Sequence, residues 1–124
     1  WCTMMWEGYS NLLEDTLGGG ARHTFDQAKR KMADYVVGGM KLAPYDPTFT
    51  EQRDGILAAA VAGGDALDFQ DLAAGFATRG AGPCAVSPAR TSTTLNGVVE
   101  DFTATTANAK FASFALVEGT DRCG

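Results

Sequence analysis

Two threonine boxes set the terms for this chain. Thr24-Phe25-Asp26-Gln27 and Thr48-Phe49-Thr50-Glu51 each place a hydroxyl three residues before a Gln or Glu. In such a box the hydroxyl takes a free backbone N–H of the first helical turn, and the Gln or Glu reaches back to the cap residue. Each therefore starts a helix, and a cap of this kind is worth about 1 kcal/mol. Glycines supply the matching stops at Gly18-Gly19-Gly20, Gly38-Gly39, Gly63-Gly64 and Gly80. Pro44 and Pro47 exclude helix from the segment between the boxes.

Apolar residues recur at helical spacing between these marks. Trp1, Met5, Tyr9 and Leu12 form one face of a first helix, and Cys2, Trp6, Leu13 and Leu17 a neighbouring one. The second helix directs Phe25, Ala28, Met32, Tyr35 and Val36 inward; the third directs Phe49, Ile56, Leu57 and Ala60. Asp68 is the expected cap of a fourth helix bearing Phe69, Leu72, Ala73 and Phe76. The pattern predicts an all-α fold, a compact bundle of four or more helices near 1–17, 24–38, 49–62 and 68–79. Aromatics at such spacing, including Trp1, Trp6 and Tyr9 as well as Phe69 and Phe76, read as core rather than as a ligand cleft. After Gly82, Pro83, Pro88 and the Ser/Thr run at 91–94 read as loop, and Val98–Phe102 is a short element. Lys110–Val117 is apolar and reads equally as strand or helix. This divides the chain into a helical region, residues 1–102, and an irregular tail or linker, residues 103–124.

Composition narrows the function. The 124 residues carry a net charge of −5, against the clustered positive charge that phosphate binding requires, so nucleic acid is not an expected partner. Lys29-Arg30-Lys31 lies within a helical pattern and reads as a solvated face. No segment reaches the ~20 apolar residues of a membrane helix, so no membrane association is expected. The chain opens on Trp1-Cys2 without a cap, an initiator Met or a signal peptide, and is expected to begin inside a longer polypeptide. Cys2, Cys84 and Cys123 lie far apart with no Cys-x-x-Cys pair, consistent with buried thiols or with one disulfide and a leftover.

The residue inventory offers little catalytic chemistry. A protease zinc site needs two His a turn apart on a helix, a further ligand and a Glu base. This sequence has one histidine, His23, flanked by Arg22 and the Thr24 cap and expected in an exposed loop. The same histidine would have to serve any Ser-His-Asp or Cys-His arrangement, and no Gly-x-Ser-x-Gly elbow is present. The glycine run at 18–20 lacks the Lys-Ser/Thr of a phosphate loop, and Asp65-Ala66-Leu67-Asp68 lacks calcium-loop spacing. Glu14, Asp15, Glu51, Asp54, Asp65, Asp68, Asp71, Glu100 and Asp101 are available for acid–base work, but several sit at helix starts and read as structural. Catalytic, cofactor-binding and metal residues are accordingly expected to be none. Arg53 and Asp54 are expected to bond other segments rather than each other, the Pro44–Pro47 turn being one target.

Lys41–Leu57 reads KLAPYDPTFTEQRDGIL, a Lys-Leu helix end, a Pro-x-x-Pro turn, Thr-Phe and an Arg-Asp helix. It is similar to the run of Gly-Leu-Lys-Leu, Pro-x-x-Pro, Thr-Phe and Arg-Asp-Ala-Ile-Leu in the fungalysin-type secreted zinc metallopeptidases. FATRGAG at 76–82 looks like the end of the next helix, Trp1–Asp15 like the helix after a Gly-Glu-Val-Trp segment, and VVEDF at 98–102 like a closing stretch. Tyr45 stands where a family cysteine is common, Gly38 replaces an acidic residue, and Gly55 replaces an alanine. On propensity alone Gly55 loosens its helix by something under ~1 kcal/mol. The resemblance implies the C-terminal helical lobe of a thermolysin-like fold. It also implies a parent zinc endopeptidase acting on protein or peptide substrates outside the cell. The zinc histidines, general-base Glu, further carboxylate ligand and oxyanion-stabilising histidine of that family all precede the region resembled, so none maps onto a residue here. The implied role is a non-catalytic scaffold for an upstream catalytic region of the same polypeptide, with zinc expected in the parent and no cofactor in this chain. The alternative is an independent helical interaction module of a secreted multidomain protein; a third reading is a small enzyme using carboxylates alone.

Overall fold

The computed structural model describes residues 1–103, and Lys110–Val117 with nearly all of the expected tail lies outside them. Four helices follow one another: α1 (Cys2–Glu14), α2 (Phe25–Leu42), α3 (Phe49–Ala62) and α4 (Ala66–Thr78). Among the described residues the only sheet-like pairings are two isolated bridges, Ala81 with Asp101 and Val86 with Val99. The fold is the expected all-α bundle.

Both threonine boxes close in full. Thr24 Oγ1 accepts from the Gln27 amide at 3.2 Å while Gln27 Oε1 accepts from the Thr24 amide at 2.9 Å. Thr48 and Glu51 repeat the arrangement at 3.4 and 2.7 Å. Helix four starts earlier than expected: Asp65 is its cap, and its Oδ1 accepts from the Asp68 amide at 3.0 Å. That frees the Asp68 side chain to point inward. Helix one ends at Glu14 rather than Leu17, which is exposed.

The correction with most consequence concerns Gly38-Gly39. They do not end α2, which runs on to Leu42. They form its contact with α3: a Cβ on Gly39 would lie 2.8 Å from the Ile56 backbone, and one on Gly55 would lie 2.6 Å from the Gly39 carbonyl oxygen. Gly55 is thus a packing requirement, not only a weak helix former. A second seam joins α1 to α4, where a Cβ on Gly75 would meet Gly8 N at 2.3 Å. The two seams hold the pairs α1–α4 and α2–α3, which are the most extensive helix contacts.

Leu12, Ile56, Leu72 and Phe76 are essentially fully buried between the pairs. Each such side chain contributes roughly 1.5–3 kcal/mol of transfer free energy. The aromatic expectation holds for Phe69 and Phe76 but not for Trp6, which is 66% exposed, nor for Phe25 and Phe49, each more than half exposed. Trp1 lies at the margin and stacks on Phe49 and Phe76 with ring centroids 5.9 and 6.0 Å apart. Cap-flanking aromatics sit at the helix ends, where the bundle leaves them partly wet. Cys84 is disulfide-bonded, and Cys2 is a free, exposed thiol.

Arg53 is buried and bonds another segment as expected, but it also pairs with its neighbour. Its Nε donates to Asp54 Oδ1 at 2.8 Å, so the neighbours do pair. Its Nη1 donates to the carbonyls of Ala81 at 3.2 Å and Gly82 at 2.6 Å, just past the end of α4. The reason is local: the chain leaving α4 passes over α3 with carbonyls that no helix satisfies, and Arg53 is the donor beneath them.

Candidate functional site

Charge is concentrated in one place, where the α1–α2 connection meets the start of α4. Asp65, Asp68 and Asp71 recur every third residue along α4 and present carboxylates on one side of its first turns. Asp15 follows the end of α1, Arg22 and His23 precede the α2 cap, and Lys31 and Tyr35 lie one turn apart on α2. Helix α1 packs against both α4 and α2, and this brings all of these together.

Asp68 is the centre and is fully buried. Its Oδ1 accepts from Arg22 Nη2 at 3.0 Å and lies 2.7 Å from His23 Nε2. Its Oδ2 accepts from Tyr35 at 2.6 Å and from Lys31 Nζ at 2.9 Å. Arg22 also donates to Asp15, to Asp65 Oδ1 at 3.2 Å and to Asp71 Oδ2 at 2.9 Å. Burial pushes the Asp68 carboxyl up, but hydrogen bonds from Tyr35, His23 and Lys31 outweigh it and hold the group well below the carboxylate range. Burial and the Asp68 bond push the Tyr35 phenol up to about 12. For Lys31, burial works downward and is outweighed by Asp68, Tyr35 and Asp65, which keep the ammonium above its ordinary value.

Two sequence expectations are corrected here. His23 is not an exposed loop histidine: it is buried and engaged by Asp68. Lys31 is not part of a solvated face, although Lys29 and Arg30 are exposed as expected. The signal available in the sequence was the three-residue recurrence of Asp on α4, which marks a stripe. Its partners on α2 and the 15–23 loop are remote in sequence and carry no matching pattern.

The cluster does not suit a catalytic zinc ion. His23, Asp65 and Asp68 do bring ligand atoms within 4.8 Å of one another. Yet both oxygens of Asp68 are taken, and Arg22 and Lys31 already supply the positive charge a metal would bring. A catalytic ion also needs a position open to water, whereas Asp68 is sealed. The cysteines do not repair this: Cys84 is committed to a disulfide, and a disulfide sulfur is not a thiolate ligand.

The other carboxylates are held elsewhere. Glu51 completes its cap and pairs with Arg90 Nη2 at 2.6 Å; Asp54 pairs with Arg53; Asp101 accepts from the Cys84 amide at 2.7 Å. Glu14 and Glu100 are exposed. A separate pocket of about 210 Å³ lies between α1, α3 and the 81–100 segment, with Met4, Phe49, Val86, Leu95 and Val99 in its lining. Arg79 and Glu100 lie at this pocket, and Arg79 is paired with Glu7. It offers shape and apolar surface rather than reactive groups.

No curated protein and no solved structure matches the chain in comparison with known proteins. A family model does: that of the fungalysin metallopeptidases (M36) matches residues 1–85 of the 124. The match takes in all four helices and both threonine boxes. By that match, the chain belongs to the fungalysin metallopeptidase family.

Proposed function

We propose that this chain is the non-catalytic C-terminal portion of a secreted zinc metalloendopeptidase, a helical lobe backing a cleft whose zinc site lies upstream in the same polypeptide. The observation that carries the proposal is the state of the only histidine within a family match that spans the bundle. His23 is buried against Asp68 and ties the connection before α2 to α4. A hydrolytic zinc site needs several deprotonated ligands and a water whose pKa the ion lowers. Here the carboxylates nearest the histidine are neutralised by Arg22 and Lys31 instead. The lobe's contribution is rigidity: capped helices, two glycine seams and a buried ionic centre give a fixed surface for a catalytic region to rest on. Its partners are that upstream region and, through it, protein or peptide substrates. Family membership supports secretion, and among the described residues no helix is long and apolar enough to cross a membrane.

The test compares the untagged chain with the same polypeptide extended upstream through its His-Glu-x-x-His helix. Metal analysis and a fluorescent casein assay, with and without added zinc, are run on both. The chain alone is expected to hold no stoichiometric zinc and cut no casein, and the extended protein to do both. Stoichiometric zinc with chelator-sensitive cleavage by the chain alone would overturn the proposal, as would an upstream sequence lacking such a helix.

A further inference from the structure

One carboxylate holds both Cys84 and Thr103, the last described residue. Asp101 Oδ1 accepts from the Thr103 amide at 2.9 Å and from its hydroxyl at 2.6 Å, while Oδ2 accepts from the Cys84 amide at 2.7 Å. The Asp101 backbone is fixed in turn: its amide donates to the Gly80 carbonyl at 2.8 Å, and its carbonyl accepts from the Gly82 amide at 2.7 Å. The sequence has three cysteines, of which Cys84 is in a disulfide and Cys2 is a free thiol. Cys123 is the one that remains. Gly80, Ala81, Ala85, Val86, Val99 and Glu100 flank this clamp and line the pocket of about 210 Å³. Val86, Leu95, Val98 and Val99 around it are each half exposed or more. An apolar cavity of roughly 150 Å³ takes a benzene ring, so the space suffices for a phenyl side chain.

We propose that Cys84 pairs with Cys123, and that this bond closes residues 104–122 into a loop whose apolar run, Lys110–Val117, covers the pocket and places the ring of Phe111 or Phe114 in it. The bond brings Cys123 back to the carboxylate that holds Thr103, so the loop leaves and returns at one place. Phe111 is eight residues from Thr103, and Phe114 is nine from Cys123. At a maximum of roughly 3.3–3.6 Å per residue, neither ring travels much beyond about 30 Å from the clamp. A segment tethered in this way meets the pocket at an effective concentration on the order of millimolar, which favours it over an untethered partner. Its sequence, KFASFALV, complements the lining: the single charge stands at its first residue, and six of its side chains are apolar. Docking removes that run and the exposed valines from water together. Disulfides persist where the surroundings are oxidising, so the loop stays closed outside the cell and opens on reduction.

The test maps the bond and then the contact on the same untagged chain. Trypsin cleavage after Arg79, Arg90 and Arg122 without reduction should release residues 80–90 joined to residues 123–124, read by mass spectrometry. NMR of the oxidised chain should show nuclear Overhauser contacts from the ring protons of Phe111 or Phe114 to the methyl groups of Val86 or Val99. In Cys123→Ser those contacts should be lost, while the contacts between Leu12 and its core neighbours are retained. Cys84 joined to Cys2 or to a second copy of the chain overturns the proposal. So does an oxidised chain without the ring-to-methyl contacts, or one in which they appear only as concentration is raised and so come from a second copy. Both measurements stand on the unmodified chain, whether or not the variant folds. Undiminished contacts in folded Cys123→Ser would also overturn it, because the run would then hold without the bond.

Discussion

Gly75→Ala isolates the seam between α1 and α4. A methyl at this position would sit 2.3 Å from Gly8 N, 2.5 Å from Gly8 Cα and 2.7 Å from the Glu7 carbonyl carbon. These are backbone atoms, so no side-chain rotation relieves the clash. Reaching an ordinary 3.4 Å contact requires the two helices to part by roughly 1 Å, which opens the packing of Leu12 and Leu72 along the same interface. The alanine gains about 1 kcal/mol of helix propensity over glycine. Against this stand overpacking, typically about 1–3 kcal/mol and more where backbone must move, and the loss of tight contacts around two fully buried leucines. The expected net result is a destabilisation of about 2 kcal/mol. Urea unfolding followed by circular dichroism measures it as a lower midpoint at unchanged slope. Gly20→Ala is the control: nothing lies within 4 Å of its would-be Cβ, and stability should stay within about 0.5 kcal/mol of the parent. A Gly75→Ala protein as stable as the parent, or more so, would refute the reasoning, since propensity would then have outweighed the clash.

Arg53→Ala leaves the Ala81 and Gly82 carbonyls and the Asp54 carboxylate without their buried donor, and should lower unfolding free energy by about 3 kcal/mol in the same urea assay. Asp68→Asn should cost about 3 kcal/mol at pH 7, because Arg22 and Lys31 lose their buried counter-charge. The Asp68 carboxyl is depressed in the folded state, so its stabilisation is present above the ordinary aspartate value and lost as pH falls below it. Thermal melts from pH 5 down to pH 2 should therefore show the parent losing stability more steeply than Asp68→Asn. Thr24→Ala removes one complete capping box and should lower stability by about 1 kcal/mol, read as a lower melting temperature.

What the sequence determined by itself was local. Hydroxyl and carboxamide at fixed spacing in Thr24–Gln27 and Thr48–Glu51 specify helix starts because a cap is satisfied within four residues, and both boxes form as written. The apolar stripes of α3 and α4 likewise fixed Ile56, Leu57, Leu72 and Phe76 as core, since a 3.6-residue period leaves one face to bury. Tertiary structure decided whatever depended on the neighbour. Gly38-Gly39 and Gly55 read as breaks and weaknesses until α2 and α3 approach so closely that a methyl has no room. His23 read as a loop residue because nothing near it in sequence binds it; Asp68, its partner, is 45 positions away. Arg53 was recognisably special, but only the course of the chain after α4 placed the Ala81 and Gly82 carbonyls above its guanidinium. Caps and periodicities are short-range and survive in any context, whereas burial, charge pairing and backbone approach are properties of two segments at once.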